Sequence, residues 1–345
     1  MPRVLVTLSA IVPATNVPST LVRATAAVAR AASPPEELIV VDDPPSLSAA
    51  QARNAGAWRA RGDVLVFVDA DVEVHTDAFV RVRAAFEDDH GLTAVFGSYD
   101  DAPSCPGTVS AFRNLLHHHV HQTGAGPAET FWAGLGAVRR DAFLAAGGFD
   151  AQRFPQPSIE DIELGARLAG AGGRIRLDPT IRGKHLKAWT LGSMVWTDFA
   201  RRGVPWVGLQ LREGRSSTAL NCGWRHRLSA GACLTGAGSA LLGKPAPAAF
   251  CGLALAALNH SFYALLARRR GRRQAVVGVG LHALHHLSAV AALPAGVALH
   301  AHERTRTLRL PAPAPGLAAQ LPPAPARTTH DAAVGERRGP AVAAA

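Results

Sequence analysis

The chain has 345 residues, 48% of them hydrophobic, which is ample for one large core or two ordinary ones and excludes a small scaffold held by staples. Its four cysteines, Cys105, Cys222, Cys233 and Cys251, are far apart with no C-x-x-C pair, so neither a zinc cage nor a disulfide framework is expected and a reducing compartment is the simpler reading. The net charge of +10 is concentrated: Arg201 to Leu310 hold 15 Lys and Arg against two acids, a surplus of +13, and the rest is slightly acidic. That surplus tracks apolar runs and has no aromatic platform beside it, which argues against a nucleic-acid partner.

The opening MPRVLVTLSAIVPATN has an apolar part too short for a signal peptide and no cleavage context, so the first 200 residues are expected in the cytosol. RVLVTLSAIVPA reads as a strand ending at Pro13. An Ala-rich helix follows over 19–32, with Ser19 or Thr20 as N-cap. Leu38 to Val41 form a second strand running into Asp42 and Asp43. SLSAAQARNAGAWRARGD is a second helix, broken at Gly62-Asp63, and VLVFVDADVEV (64–74) reads as a third strand. Strands alternating with helices predict an α/β fold with an open, mostly parallel sheet flanked by helices.

In such sheets ligands collect at the carboxyl ends of the strands, and three strands here end in Pro13-Ala14-Thr15-Asn16, Asp42-Asp43 and Asp69-Ala70-Asp71. Asp69 and Asp71 are two apart, so extended backbone points both to one side, about 7 Å apart. They repel unless a cation lies near, and Mg²⁺ or Mn²⁺ held by one or two carboxylates plus phosphate oxygens and water suits them. The alternative is a solvated strand end or an Asx-turn.

Five stretches in order, IVPATN (11–16), IVVDD (39–43), ARNAGAWRARGDVLVFVDADVEV (52–74), FWAGLGAVRRDAFLAAGGFD (131–150) and SIEDIELGARL (158–168), resemble the family 2 glycosyltransferases over roughly residues 3–210. The resemblance implies a GT-A type fold, a nucleotide-sugar donor and a divalent metal. It implies that Pro13 and the segment to Asn16 line the nucleotide pocket and that Asp42 bonds the base or ribose. Asp69 is then the ribose or metal contact and Asp71 the principal metal ligand, with His185 completing the metal site or touching the diphosphate. Asp161 matches the general base, and Glu160 orients the acceptor or its neighbour. Asp43-Pro44-Pro45 departs from the family's Gly-Ser turn, and the prolines stiffen that loop and remove amide donors.

Gly147-Gly148 suit a tight turn on the acceptor side after the short helix VRRDAFLAA, where Arg139 and Arg140 either reach a diphosphate or are simply solvated. Glu160, Asp161 and Glu163 sit at a helix amino terminus, where the plainer role is to complement the helix dipole. RIRLDPTI reads as a strand, followed by His185, Lys187 and Trp189. These fall near the Q-x-x-R-W of processive members but lack its Gln and Arg, so processive synthesis is unsupported. Lys187 is then a phosphate partner and Trp189 a stacking surface for acceptor or sugar; His185 also reads as an ordinary core histidine. Of His117, His118, His119 and His121 only His117 and His121 share a helix face. The segment reads as amphipathic, with Phe112, Leu115 and Leu116 as its apolar part near the acceptor or the membrane.

Leu228–Gly243, Pro245–Ala267 and Gln274–His302 are uncharged runs, and Arg268-Arg269-Arg270-Gly271-Arg272-Arg273 follow the second. A run approaching ~20 residues with a basic flank reads as a membrane span with its flank in the cytoplasm; buried helices of a soluble domain are the alternative. The expected organisation is a catalytic domain over 1–210, interfacial and transmembrane helices over 211–302 with two or three spans, and a disordered Pro/Ala-rich tail over 303–345. Residues 205–217 are expected as an interfacial helix. The expected activity is inverting sugar transfer to a lipid-linked or membrane-associated acceptor at the cell membrane, catalytic domain on the cytoplasmic side. A nucleotidyl-transferring enzyme or a silent nucleotide-sugar-binding scaffold is the alternative. A nucleotidyl transferase commonly has a Gly-rich phosphate loop that VPATNVPST lacks, and the intact acids argue against a silent scaffold.

Overall fold

The computed structural model describes residues 6–214 and 223–309. The chain divides into two units, 1–302 and 303–345. Of the second unit residues 303–309 are described; they are helical, and the rest of the expected tail lies outside the described residues, as do residues 215–217 of the expected interfacial segment.

An eight-stranded sheet forms the centre. Its strands are β1 (Leu8–Pro13), β2 (Glu37–Val41), β3 (Val64–Val68), β4 (Val72–Val74), β5 (Leu92–Tyr99), β6 (Gly126–Ala128), β7 (Leu135–Arg139) and β8 (Arg174–His185). The order is β2-β1-β3-β7-β5-β8-β4, with β6 paired to β8. β1 is parallel to β2 and β3, β7 runs against both β3 and β5, β8 follows β5, and β4 and β6 oppose β8. Five strands therefore share one direction, and the carboxyl ends of β1, β2, β3, β5 and β8 meet at one edge.

The apolar run of β3 is buried on both faces, as a central strand of such a sheet must be. Val64, Val66 and Val68 enter one core with Val28 of α1 (Leu21–Ala29) and Phe79, Val82 and Phe86 of α3 (Ala78–Asp88). Leu65 and Phe67 enter the other, beneath α2 (Ala49–Arg59), α5 (Arg140–Ala145) and α6 (Glu160–Gly170). There the Phe67 ring lies 5.1 Å from Phe149, 5.3 Å from Phe143 and 6.5 Å from Phe131. α2 starts where its sequence can satisfy its first amides: Ser48 and Gln51 form a reciprocal capping box.

The expected third strand is two strands. Asp69–Val72 is a tight turn closed by the Val72 amide on the Asp69 carbonyl at 2.9 Å, and β4 then pairs with β8 rather than extending β3. The acid pair is therefore held by a turn, the conformation aspartate favours. β8 in turn runs past the expected RIRLDPTI to His185, because β4 pairs with its last residues.

Beyond the sheet lie α4 (Thr108–Thr123), α7 (Leu191–Trp196), a π-helical turn (Thr197–Gly203), α8 (Val204–Glu213), α9 (Trp224–Leu241), α10 (Pro245–Leu258), α11 (His260–Arg270) and α12 (Arg272–Arg309). The run Pro245–Ala267 is not one straight helix: α10 and α11 meet at a bend of 75°. Phe262, Tyr263, Leu265 and Leu266 of α11 are buried with Phe112, Leu115 and Leu116 of α4. His118 and His121 bond to the Tyr99 and Gly97 carbonyls of β5, so these histidines fasten α4 to the sheet.

Phe67→Ala removes the ring at the centre of the second core and should destabilise the fold by about 3–5 kcal/mol, read as a lowered midpoint in chemical denaturation.

Candidate active site

The carboxyl edge of the sheet gathers most of the expected residues. Pro13 ends β1 opposite Val41, Asn16 and Asp42 are exposed in the loops after β1 and β2, and Asp69 follows β3, with its amide on the Gly134 carbonyl at 3.0 Å. Tyr99 ends β5 and His185 ends β8 at the same edge. Because Val72 pairs with His185 in the β4–β8 ladder, His185 Nε2 comes to 3.7 Å from Asp71 Oδ2. The His185 ring stacks on Tyr99 at 4.1 Å and 12°.

At the centre is Arg53, a residue of α2 that motif reasoning did not assign. Its guanidinium donates to Asp69 Oδ1 at 2.7 Å and to Glu160 Oε1 at 2.9 Å, and it lies over the Phe149 ring at 5.6 Å. The Arg53 side chain is 7% exposed and that of Glu160 5%, so this is a desolvated ion pair whose planar fork joins two carboxylates. Its signal in the sequence is a lone charge among the alanines and glycine of the helix face that packs on the sheet.

The amide of Ser158 donates to Glu160 Oε2 at 2.8 Å, and that of Ala133 donates to Asp161 Oδ2 at 3.1 Å. The N-cap Ile159 has no capping side chain, and Glu160, Asp161 and Glu163 all lie in the first turn of α6, where acids complement the helix dipole and Asp161 Oδ1 accepts from the Ile162 amide at 2.9 Å. Gly165 permits this approach: a Cβ there would stand 2.3 Å from the Phe131 amide nitrogen, pushing α6 off the loop that holds Asp161. Glu163, the third acid, is taken by Arg167 at 2.7 Å.

Burial, and then the neighbouring Glu160 charge, raise the Asp161 carboxyl from 3.8 to about 6. Burial and Asp71 also push Asp69 up, against the pull of Arg53. Asp71 is the opposite case: burial raises it, but His185 and Lys187 outweigh that and hold it below the usual range. Two adjacent acids are thus set apart by their surroundings.

Lys187 is exposed, its Nζ 4.5 Å from the centre of Trp189, and the Arg113 guanidinium lies 5.0 Å from the same ring. The Trp189 amide donates to Ser110 Oγ of α4 at 2.8 Å. Gly147 and Gly148, at φ of 80° and 72°, form the left-handed turn that ends α5, and Asn54 of α2 clamps the following Phe149 through both its amide and its carbonyl at 2.9 and 2.8 Å. These glycines thus shape the turn that seats Phe149 beneath Arg53. Arg139 and Arg140 do not reach this site: their guanidinium groups donate to the carbonyls of Leu92 and His90, and of Ala60.

Asp71 and His185 supply a carboxylate oxygen and an imidazole nitrogen to one point, and among the described residues no group of three His, Cys, Asp or Glu adds a further ligand. Two protein donors fit a hard divalent ion whose remaining positions are filled by diphosphate oxygens and water.

Residues 45–144, which include Arg53 and both acids of the turn, match the family described as glycosyl transferase family 2. The match covers this segment, less than a third of the chain. Two curated relatives, both named glucans biosynthesis glucosyltransferase H and both from Rhodopseudomonas palustris, extend the likeness beyond it: 28% identity over 212 residues in strain ATCC BAA-98 / CGA009 and 27% over 190 residues in strain TIE-1. These cover 57% and 52% of this chain, but only 28% and 25% of the relatives' own length. Among solved structures, GalNAc-T7 with UDP, GalNAc and Mn²⁺ aligns with a TM-score of 0.45 and 17% identity over 60% of this chain and 48% of its own. The mannosyltransferase PcManGT from Pyrobaculum calidifontis, in complex with GDP-Man and Mn²⁺, aligns with a TM-score of 0.47 and 15% identity over 88% and 89%. The family 2 segment ends before Asp161, which reaches the site through the Ala133 amide and its neighbour Glu160.

Arg53→Met leaves two facing carboxylates without their counterion and should cost about 3–5 kcal/mol. Asp69→Asn with Glu160→Gln in the same chain should recover most of that loss, measured as a coupling energy in denaturant unfolding.

Proposed function

We propose that the protein is an inverting glycosyltransferase that moves a sugar from a nucleotide-sugar donor to the hydroxyl of a lipid-linked or membrane-associated acceptor, with its catalytic part on the cytoplasmic side. The observation that carries this reading is the Arg53 bridge: one buried guanidinium fixes Asp69, on the donor edge, against Glu160, the residue before the raised carboxyl of Asp161.

In this reading the nucleotide lies along the loops after β1 and β2, by Pro13, Asn16 and Asp42, and the diphosphate lies between Asp71 and Lys187. Asp161 takes the proton of the acceptor hydroxyl as that oxygen bonds to the anomeric carbon. The bond from that carbon to the donor phosphate breaks in the same displacement, and its electron pair leaves with the nucleoside diphosphate, so the configuration inverts. A carboxyl at about 6 is ionised at neutral pH yet basic enough for this role. Asp71 and His185 are the residues that would hold a divalent metal, which when bound supplies positive charge to the departing diphosphate.

Asp161→Asn should keep donor binding, read by calorimetry with nucleotide sugars, and lose transfer by at least about 100-fold. Normal turnover in this variant would remove Asp161 from the role.

In the wild type, kcat/KM should fall about tenfold per pH unit below ~6 as Asp161 becomes protonated. The sign for stability is opposite: the folded carboxyl keeps its proton to about pH 6 and the unfolded one releases it near 3.8, so this group's stabilising effect is full below that window and lost as pH rises through it. Denaturation across this range should show the slope, and Asp161→Asn should flatten it. Chelation by EDTA and Asp71→Ala should each abolish metal-dependent donor binding, with little change in the denaturation midpoint.

A further inference from the structure

Which of the apolar helices after Gly223 enters lipid is decided by what each one touches. By length and composition α12 qualifies best, since Arg272–Thr305 has a mean hydropathy of 1.6 over its most apolar window. Its contacts point the other way. Gln274 donates to the Thr108 carbonyl of α4 at 2.9 Å, His282 meets the Tyr263 hydroxyl at 3.0 Å, and His285 meets Asp198 at 2.8 Å. Further along, a Cβ on Gly203 would stand 2.6 Å from Ala292, and one on Gly296 2.6 Å from Val207. From Gln274 to Gly296 is about 33 Å of helix, and α12 lies against α4, the π-helical turn and α8 along that length. Asp198, its partner, is also ion-paired to Arg113 at 2.8 Å. The opposite face of α12 is open, with Val276, Leu293 and Val297 73%, 52% and 50% exposed, but a helix fastened along one side by such polar groups is not surrounded by hydrocarbon.

The α9–α10 hairpin differs. Gly236 of α9 packs on Cys251 of α10, and the outer faces are bare: Leu241, Leu242, Phe250 and Leu253 are 88%, 73%, 72% and 70% exposed. No charged residue occurs between Leu228 and Gly243 or within α10. The base of the hairpin is amphipathic, with Trp224 exposed, Arg227 over its ring, and the Arg225 guanidinium on the Leu258 carbonyl at the end of α10. The 75° bend then sends α11 away from the hairpin axis. If the hairpin stands along the membrane normal, α11 lies within about 15° of the membrane plane and carries the exposed Arg268 and Arg270, with Arg272 and Arg273 at the start of α12 following, out at the level of the hairpin base. Tryptophan and arginine at that level match the interfacial zone of an anionic leaflet.

We propose that the protein seats on one face of an anionic bilayer, with the α9–α10 hairpin inserted in lipid and α12 lying along the catalytic domain without crossing. Leu228 to Leu242 reach about 22 Å, short of a hydrocarbon core of about 30 Å, and Lys244 at the tip extends its amine toward the far headgroups. This inference does not use the sugar-transfer reading and stands or falls apart from it.

The test is flotation of the purified full-length protein with vesicles of phosphatidylcholine alone or with 30% phosphatidylglycerol. Wild type should float with the anionic vesicles, the triple variant Leu242→Glu, Phe250→Glu, Leu253→Glu should float at least tenfold less, and replacing Arg268, Arg270, Arg272 and Arg273 with Gln should erase the preference for phosphatidylglycerol. A triple variant that floats like wild type overturns the insertion of the hairpin. Sidedness provides the second arm: Arg59→Cys and Ala301→Cys, each made with the native cysteines replaced by Ser, should react with an impermeant maleimide from the same side of sealed membrane vesicles. Reaction from opposite sides shows that the chain has crossed and overturns the proposal.

Discussion

A buried cation that belongs equally to two distant carboxylates organises this protein. Arg53 leaves the sheet-facing side of α2 and holds Asp69 after β3 and Glu160 at the start of α6. Each of these charges is unfavourable in the interior without the other two, so the turn after β3 and the amino terminus of α6 are positioned together. The packing beneath serves the same point: Phe149 lies under the guanidinium, clamped by Asn54 one residue along α2. The Gly147-Gly148 turn brings Phe149 there, and Arg167 donates to the Gly148 carbonyl at 2.7 Å.

The second constraint is strand direction. Because β5 and β8 run with β3, their last residues arrive at the edge where Asp69 stands, and Tyr99 and His185 stack there. The turn at Asp69–Val72 then sends β4 to the far side of the same sheet, where it pairs with the end of β8 and returns Asp71 to His185. One acid therefore faces an arginine and the other a histidine. That difference in partner separates the two carboxylates chemically.

A third layer ties the apolar helices to this site. The π-helical turn sets Asp198 between Arg113 of α4 and His285 of α12, and its Arg201 carbonyl accepts from Ser158 Oγ at 2.5 Å, two residues before Glu160. Burial raises the Asp198 carboxyl, but His285 and Arg113 outweigh that and bring it to about 2. Asp198 therefore stays charged opposite Arg113, and α12 is fastened to it through the His285 contact at 2.8 Å, beside the loop that precedes Glu160. π-helical turns often mark functional sites, and this one links the loop before Glu160 to α12.

The sequence by itself determined the α/β architecture, because apolar runs such as Val64–Val68 and the alternation of strand and helix are local signals that neighbours do not alter. It also placed Asp42, Asp69, Asp71 and Asp161 at segment ends, since the change from apolar run to acid is visible residue by residue. What it left open required distant chain segments to meet. Arg53 reads as one charge on an Ala-rich helix until Glu160, more than a hundred residues later, is brought to it. The VDADVEV stretch fits a continuous strand equally well, and only pairing of β4 with β8 makes it a turn. Hydropathy along the apolar runs after Leu228 counts residues and not contacts. The 75° bend and the seating of α12 on Thr108, Asp198 and Val207 depend on surfaces that exist only once the chain has folded.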